Sequence, residues 1–330
     1  MTQNILDPAI LFFVFGVLAG FARSNLEIPQ AISRFLSLYL LMALGLKGGF
    51  ALHESGLTAE VAISLGTAIL LAVIIPLIGY ALLRRVVGGF DAAAVAATYG
   101  SVSAVTFITA TQYLDQSGLP YGAHMAAAMA LMESPAIIMA VLFANMLRRE
   151  KAAAGGTAAL ATDGHTPLGK ILHESFTDGA QLLLLGAMLV GIITGDAGKA
   201  VMAPFSVELF KGMLSFFLLD MGLMAARNMH ELRGKSPWLV AYGIAGPISH
   251  ASLALALCML LGIGPGEGAL LMVLAGSASY IAVPAVLRFA IPEANPGLYF
   301  GLSLGLTFPL NILFGIPLYT AAAKAMLGTP

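Results

Sequence analysis

Two short motifs carry most of the chemistry that this sequence offers. Each has the form Gly-Ser-x-Ser and lies well inside an apolar stretch; they are Gly100-Ser101-Val102-Ser103 and Gly276-Ser277-Ala278-Ser279. Glycine weakens a helix by about 0.8–1.0 kcal/mol relative to alanine, and serine prefers the N-cap to the helix interior. Both motifs therefore predict a break in a helix.

A broken helix presents unpaired carbonyls where its first half ends and unpaired N–H groups where its second half begins. Inside a membrane both are costly unless a ligand or another protein group satisfies them. The N–H ends, around Ser103-Ala104 and Ser279-Tyr280, favour an anion. The carbonyl ends and the serine hydroxyls suit a hard cation such as Na⁺. The alternative is that these small residues only let helices pack closely.

Glu133 is a further candidate, because it lies in the middle of an apolar stretch. A carboxylate at that depth costs about 2.5–3.5 kcal/mol on insertion scales, and such residues mark ion or proton pathways. We predict that it ligates Na⁺; the alternative is a protonated Glu bonded within the helix bundle. Its counterpart in the second half of the chain is Thr307, with Asn311 one turn later, so that half offers neutral oxygens.

Three other polar residues lie in or near apolar stretches. Asp220 and Lys47 are candidates to line or gate a transport path, although Lys47 can also extend its amine to the membrane surface. His250 is expected to bond a neighbouring helix, with a proton relay as the alternative.

The composition places the chain in a membrane. Of 330 residues, 59% are hydrophobic and 10% are charged, and the mean hydropathy is +0.91. Soluble domains have about 45–50% apolar and about 25% charged residues. This excludes a soluble enzyme, a nucleic-acid binder and a disordered chain. The single cysteine, Cys258, excludes a disulfide framework or a thiol metal cluster, and no phosphate-binding loop or zinc motif occurs, so no cofactor or transition metal is expected.

Hydropathy predicts an all-α membrane protein with ten transmembrane helices, since each span needs about 20 apolar residues. The spans lie at about 8–22, 35–52, 61–83, 91–114, 121–147, 179–195, 207–226, 237–262, 267–290 and 297–326. Residues 1–147 thus hold the first five spans and 179–330 the second five. The polar stretch 148–178 is predicted to be a flexible linker.

The basic residues set the orientation. Twelve of the 16 Lys and Arg residues fall in the loops that follow spans 1, 3, 5, 7 and 9. Because cytoplasmic loops carry the excess of Lys and Arg, both termini are predicted to be outside and the linker 148–178 to be cytoplasmic.

The two halves match at a nearly constant offset, which predicts an internal repeat. Asp91 and the first motif each recur 176 residues later, as Glu267 and the second motif, and Pro135 recurs as Pro309. Five spans per half make the repeat inverted, a plan typical of secondary transporters. In this plan spans 4 and 9 are the two broken, crossing helices.

Four further stretches carry a likeness that covers nearly the whole chain. They are Gly45-Leu46-Lys47-Gly48-Gly49, Met132-Glu133-Ser134-Pro135-Ala136, Glu231-Leu232-Arg233 and the run from Leu287 to Pro296. On these residues the sequence resembles the family of sodium-dependent bicarbonate transporters, known from cyanobacteria and other bacteria.

The resemblance implies a fold related to bile-acid sodium symporters, with a core domain from spans 3–5 and 8–10 and a gate domain from spans 1, 2, 6 and 7. It also implies a homotrimer in the bacterial inner membrane and, in many members, a PII-like cytoplasmic regulator. The sequence departs from the family pattern where Tyr280 replaces an acid, Ala104 a threonine and Glu133 an aspartate.

We therefore predict a secondary transporter that takes up bicarbonate with Na⁺ by an elevator-type movement. The anion site is assigned to Ser101, Val102, Ser103, Ala104, Ser277, Ala278, Ser279 and Tyr280, and the Na⁺ site to Gly100, Ser101, Glu133, Gly276, Ser277, Thr307 and Asn311. Alternatives are a small organic carboxylate as cargo, coupling to H⁺, and, least favoured, an intramembrane enzyme that uses Glu133, His250 and Asp220.

Overall fold

The computed structural model describes residues 7–56, 58–154, 179–232 and 234–328. Within these ranges the chain forms α-helices and short π and 3-10 helical segments, and it contains no strand. The predicted all-α class is therefore confirmed. Most of the predicted linker, residues 155–178, lies outside the described residues.

We number the helical segments of the described residues in chain order. They are α1 (Pro8–Phe21), α2 (Gln30–Ser55), α3 (Ala59–Leu83), α4 (Gly89–Gly100), α5 (Ala104–Gln116), α6 (Met125–Ala154), α7 (Gly179–Ala203), α8 (Phe210–Asn228), α9 (Pro237–Leu261), α10 (Pro265–Ala275), α11 (Ala282–Ala290) and α12 (Pro296–Leu327). Helix α12 includes two π-helical stretches, Gly301–Thr307 and Asn311–Gly315.

Several helix ends follow from local sequence. The Asp7 side chain caps α1 and the Thr58 side chain caps α3, each by accepting a bond from a backbone N–H of the first turn. Proline opens α9 and α10, where its missing N–H costs no helical bond. Gly262 ends α9 with a φ of 67°, a left-handed conformation that glycine adopts readily.

Seven apolar stretches of the described residues are long enough to cross a membrane. One of them, Leu182–Asn228, has 47 residues and includes both α7 and α8. Helices α1 and α10 are apolar but shorter. The structure is thus that of a multi-pass membrane protein.

Three predicted boundaries differ from the structure. Helix α6 continues past residue 147 to Ala154, so the first residues of the predicted linker are helical. Helix α2 starts at Gln30 and includes Arg34, which hydropathy had placed in a loop. Charged side chains near a helix end lower the hydropathy without disrupting the helix, so hydropathy alone trims such ends. The predicted end of span 6 at 195 coincides with a kink at Gly195, beyond which helix continues to Ala203.

Two pairs of helices approach each other so closely that only glycine fits between them. Helix α2 packs along α7, where a Cβ on Gly49 would overlap the carbonyl oxygen of Met188. Helix α1 packs along α8, where a Cβ on Gly222 would overlap the carbonyl oxygen of Phe13. Small residues permit this backbone contact between membrane helices.

The remaining helices form two similar groups. Helices α3, α4 and α6 pack against one another, and so do α9, α10 and α12. The groups are joined by contacts of α3 with α9 and α10 and of α5 with α10. The predicted site residues lie within these two groups.

Candidate functional site

The first motif breaks a helix. Helix α4 ends at Gly100 and α5 begins at Ala104, with residues 101–103 between them. The Ser103 hydroxyl caps α5 by accepting a bond from the Thr106 N–H at 3.2 Å. Gly100 is packed against the ring of Pro76, where a Cβ would come within 2.6 Å of the ring carbons. The break thus combines a serine cap with a position that excludes a side chain.

The second motif breaks a helix in the same way. Helix α10 ends at Ala275 and α11 begins at Ala282. The Ser279 hydroxyl accepts a bond from the Val283 N–H at 3.2 Å. Pro284 lies in the first turn of α11, where a missing N–H is tolerated.

The two breaks contact each other through backbone hydrogen bonds. The Ser279 N–H donates directly to the carbonyl of Thr98 at 2.8 Å. The equivalent group of the first break, the Ser103 N–H, donates instead to the Ser277 hydroxyl at 3.0 Å. That hydroxyl in turn donates to the carbonyl of Leu274 at 2.8 Å. Ser277 therefore relays a contact that is direct on the other side.

Two hydroxyls at the breaks have no hydrogen-bond partner among the described residues. They belong to Ser101 and Tyr280, whose exposed fractions are 1% and 6%. Leaving a buried polar group unpaired costs about 1–3 kcal/mol, so these hydroxyls suit a bound polar ligand. The Ser103 side chain lies beside Tyr280, and the Tyr280 ring packs edge-on against Phe308, with centroids 5.2 Å apart.

The other positions of the two breaks contribute mainly backbone. The side chains of Val102 and Ala278 are buried, and Ala104 is the first residue of α5. Gly276 is close-packed, since a Cβ there would come within 3.1 Å of the Pro247 carbonyl oxygen.

Thr307 and Asn311 bring α12 to the same place. The Thr307 hydroxyl donates to the Gly243 carbonyl at 2.8 Å and lies 2.6 Å from the Tyr99 hydroxyl. The Asn311 side-chain N–H donates to the Gly276 carbonyl, at the second break, at 2.7 Å. Both residues are buried at the edges of the π-helical stretches, which frequently mark functional sites.

Glu133 lies half-buried in α6, two residues before Pro135. Helix α6 packs against α4, the helix that ends at the first break, and against α3. The structure thus places the predicted Na⁺ ligand in the same group of helices as the first motif.

Some neighbours of the site were not predicted from the sequence. Tyr99, directly before the first motif, is fully buried, and its ring meets the rings of Tyr242 and His250 at 5.1 and 6.4 Å. Nδ1 of His250 has no hydrogen-bond partner among the described residues. A tyrosine inside an otherwise apolar helix was the available signal.

The remaining candidates lie away from the breaks. Asp220 is buried in α8 and accepts a bond from the Ser33 side chain, while its Oδ2 has no partner among the described residues. Lys47 forms an ion pair with Asp115 at the end of α5, with Nζ and Oδ2 2.7 Å apart.

The comparisons with known proteins agree with the predicted family. No curated protein matches the sequence. A family model described as the Na⁺-dependent bicarbonate transporter superfamily matches residues 8–324. Since this match spans the chain from the start of α1 to the last turn of α12, the protein belongs to the Na⁺-dependent bicarbonate transporter superfamily.

Proposed function

We propose that the protein takes up bicarbonate together with Na⁺ as a secondary transporter. The observation that carries this proposal is the pair of buried, unpartnered hydroxyls, Ser101 and Tyr280, at two helix breaks that contact each other. No step of this function requires bond-making chemistry, in keeping with a transporter family.

The anion half of the site consists of hydrogen-bond donors. Helices α5 and α11 both start at a break, so their positive ends favour an anion. The hydroxyls of Ser101 and Tyr280 donate to the oxygens of bicarbonate, and backbone groups at Val102, Ala104 and Ala278 line the site. None of these residues is basic, and a single negative charge is therefore held by dipoles alone.

The cation half consists of oxygens. Thr307 and Asn311 approach the site from α12, and Glu133 on α6 supplies the negative charge that offsets Na⁺. The carbonyl ends of α4 and α10, at Gly100 and Gly276, complete the set. A bound Na⁺ beside the anion lowers the cost of holding either ion alone.

A count of ten spans accounts for the helix lengths. At 1.5 Å per residue a 47-residue stretch is about 70 Å long, more than twice the roughly 30 Å of a bilayer core. Leu182–Asn228 therefore crosses twice. The pairs α4–α5 and α10–α11 then form the broken spans 4 and 9, and α1 the first span.

The two glycine contacts support an inverted repeat. Gly45 of α2, which packs against the backbone of Leu184 in α7, is equivalent to Gly222 of α8, which packs against α1. A twofold axis that exchanges the two halves exchanges these contacts. Helices α1, α2, α7 and α8 would form the gate domain, and the two groups of three helices with α5 and α11 the core domain that moves against it.

Uptake of radiolabelled bicarbonate into proteoliposomes tests the proposal, with an inward Na⁺ gradient and with K⁺ in place of Na⁺. Ser101→Ala should raise the bicarbonate KM about tenfold, the effect of one lost hydrogen bond to a charged ligand. Ser252→Ala is the matched control, because Ser252 is exposed and bonds only its own helix. Uptake that proceeds equally in K⁺ would contradict coupling to Na⁺. Inhibition by formate or acetate with no bicarbonate uptake would favour an organic carboxylate as cargo.

The trimer, the PII-like regulator and the orientation with both termini outside remain predictions from the sequence.

A further inference from the structure

The Thr307 hydroxyl is held between two groups on different helices. It donates to the Gly243 carbonyl of α9 at 2.8 Å, and it lies 2.6 Å from the hydroxyl of Tyr99 on α4. All three residues are buried in the part of the chain that the structure describes.

The number of protons decides the direction of these bonds. A threonine hydroxyl has one proton, and a carbonyl oxygen can only accept, so the proton of Thr307 points at Gly243. The Tyr99 hydroxyl must then donate its own proton to Thr307. One lone pair remains on the Thr307 oxygen and no proton, which suits a cation and not an anion.

Asn311 is restricted in a similar way. Its side-chain nitrogen donates to the Gly276 carbonyl at 2.7 Å, which leaves its Oδ1 to accept. Oδ1 lies over Gly315, where a Cβ would overlap it. Each oxygen that α12 offers is therefore oriented by one of the two helix breaks: Thr307 through Tyr99, directly before the first break, and Asn311 through Gly276 in the second.

We propose that Tyr99 is a positioning residue for the Na⁺ site, because its hydroxyl fixes Thr307 as a lone-pair donor to the cation. This inference rests on the proposed function. It also accounts for coupling between the two ions, since a change at the first break, where the anion binds, moves Tyr99 and with it a cation ligand.

Tyr99→Phe is the direct test, because it removes the hydroxyl and keeps the ring. The Tyr99 side chain is fully buried, so water cannot replace the lost donor. We expect the KM for Na⁺ to rise about 3- to 10-fold, the effect of one hydrogen bond, with the bicarbonate KM at saturating Na⁺ unchanged.

Tyr242→Phe is the matched control. Its ring packs edge-on against Tyr99, but its hydroxyl has no hydrogen-bond partner among the described residues. Both KM values should remain those of the parent protein. Thr307→Ser should behave like the parent protein, and Thr307→Val should raise the Na⁺ KM at least as much as Tyr99→Phe.

The double variant Tyr99→Phe with Thr307→Val separates positioning from a general loss of structure. If Tyr99 acts through Thr307, the double variant is no worse than Thr307→Val alone. Additive losses would overturn the inference, as would an equal rise in both KM values or an unchanged Na⁺ KM in Tyr99→Phe. Absence of Na⁺ dependence in the parent protein would instead overturn the proposed function itself.

Discussion

Nζ of Lys47 lies 2.7 Å from Oδ2 of Asp115, which joins α2 to the last turn of α5. The next residue, Gln116, donates to Asp7 at 2.8 Å, and Asp7 also pairs with Lys211 at 2.9 Å. Helix α5 has 13 residues and is about 20 Å long. Its first turn thus forms the first helix break, while its last turn is bound to α1 and α2 and, through Asp7, to α8.

The Lys47–Asp115 pair must open if α5 moves against α1 and α2, as the elevator mechanism requires. Both side chains are about 40% exposed, so the pair contributes little to stability, roughly 0–1 kcal/mol. Lys47→Asp should lower the uptake rate about 2- to 5-fold, because the closed arrangement becomes less populated, and should leave the Tm nearly unchanged.

Adding Asp115→Lys to Lys47→Asp should restore uptake, because the pair then forms with its charges exchanged. Lys199→Glu is the control. Lys199 pairs with Glu54 at the same distance of 2.7 Å, but that bond joins α2 to α7 and need not open. A charge exchange that restores nothing would show that the pair has no role in transport.

Asp7 gives a prediction about pH. Burial raises the pKa of its carboxyl, but hydrogen bonds from Lys211, Gln116 and the Ala9 N–H outweigh burial, so the pKa lies below its usual value of 3.8. A lowered pKa means that stabilisation by the charged form is complete above 3.8 and is lost as the pH falls through the lowered value.

Asp7→Asn tests this, since asparagine also caps helices but carries no charge. The difference in Tm between Asp7→Asn and the parent protein in detergent should be constant from about pH 5 to 8. Below about pH 4 the difference should shrink as Asp7 itself becomes neutral. A difference that grows at low pH would contradict the assigned pKa direction.

Ser277 and Ser101 occupy equivalent positions but should behave differently when replaced by alanine. Ser277→Ala removes the relay between the Ser103 N–H and the Leu274 carbonyl, and leaving a buried group unpaired costs about 1–3 kcal/mol. We expect the Tm to fall by at least roughly 2–4 °C. Ser101→Ala removes a hydroxyl with no protein partner, so the Tm without bicarbonate should not fall. Equal effects of the two variants on Tm would contradict this difference.

The contrast between these serines shows what sequence alone could and could not predict. The two breaks were predictable because glycine and serine act locally, through helix propensity and capping. Which of two identical hydroxyls is used within the protein depends on the packing of α10 against α5. The role of Tyr99 was missed for the same reason, since its partner Thr307 lies 208 residues away in the chain. Thr307 and Asn311 were found only because the repeat supplied a long-range alignment.

Gly222 on α8 tests the close contact of α1 and α8. A Cβ there would overlap the Phe13 carbonyl oxygen and come within 2.9 Å of the Val17 nitrogen, so Gly222→Ala forces the two backbones apart. We expect a loss of at least about 2 kcal/mol, in the range of overpacked cores, measured as a lower Tm and a lower yield of folded protein. Gly212→Ala on the same helix is the control, because no atom lies within 4 Å of its Cβ position. That change should stabilise the helix by about 0.5–1 kcal/mol, since alanine is the better helix former. Because the two substitutions add the same methyl group to the same helix, a similar loss in both would mean that α1 does not approach α8 as closely as Gly222 requires.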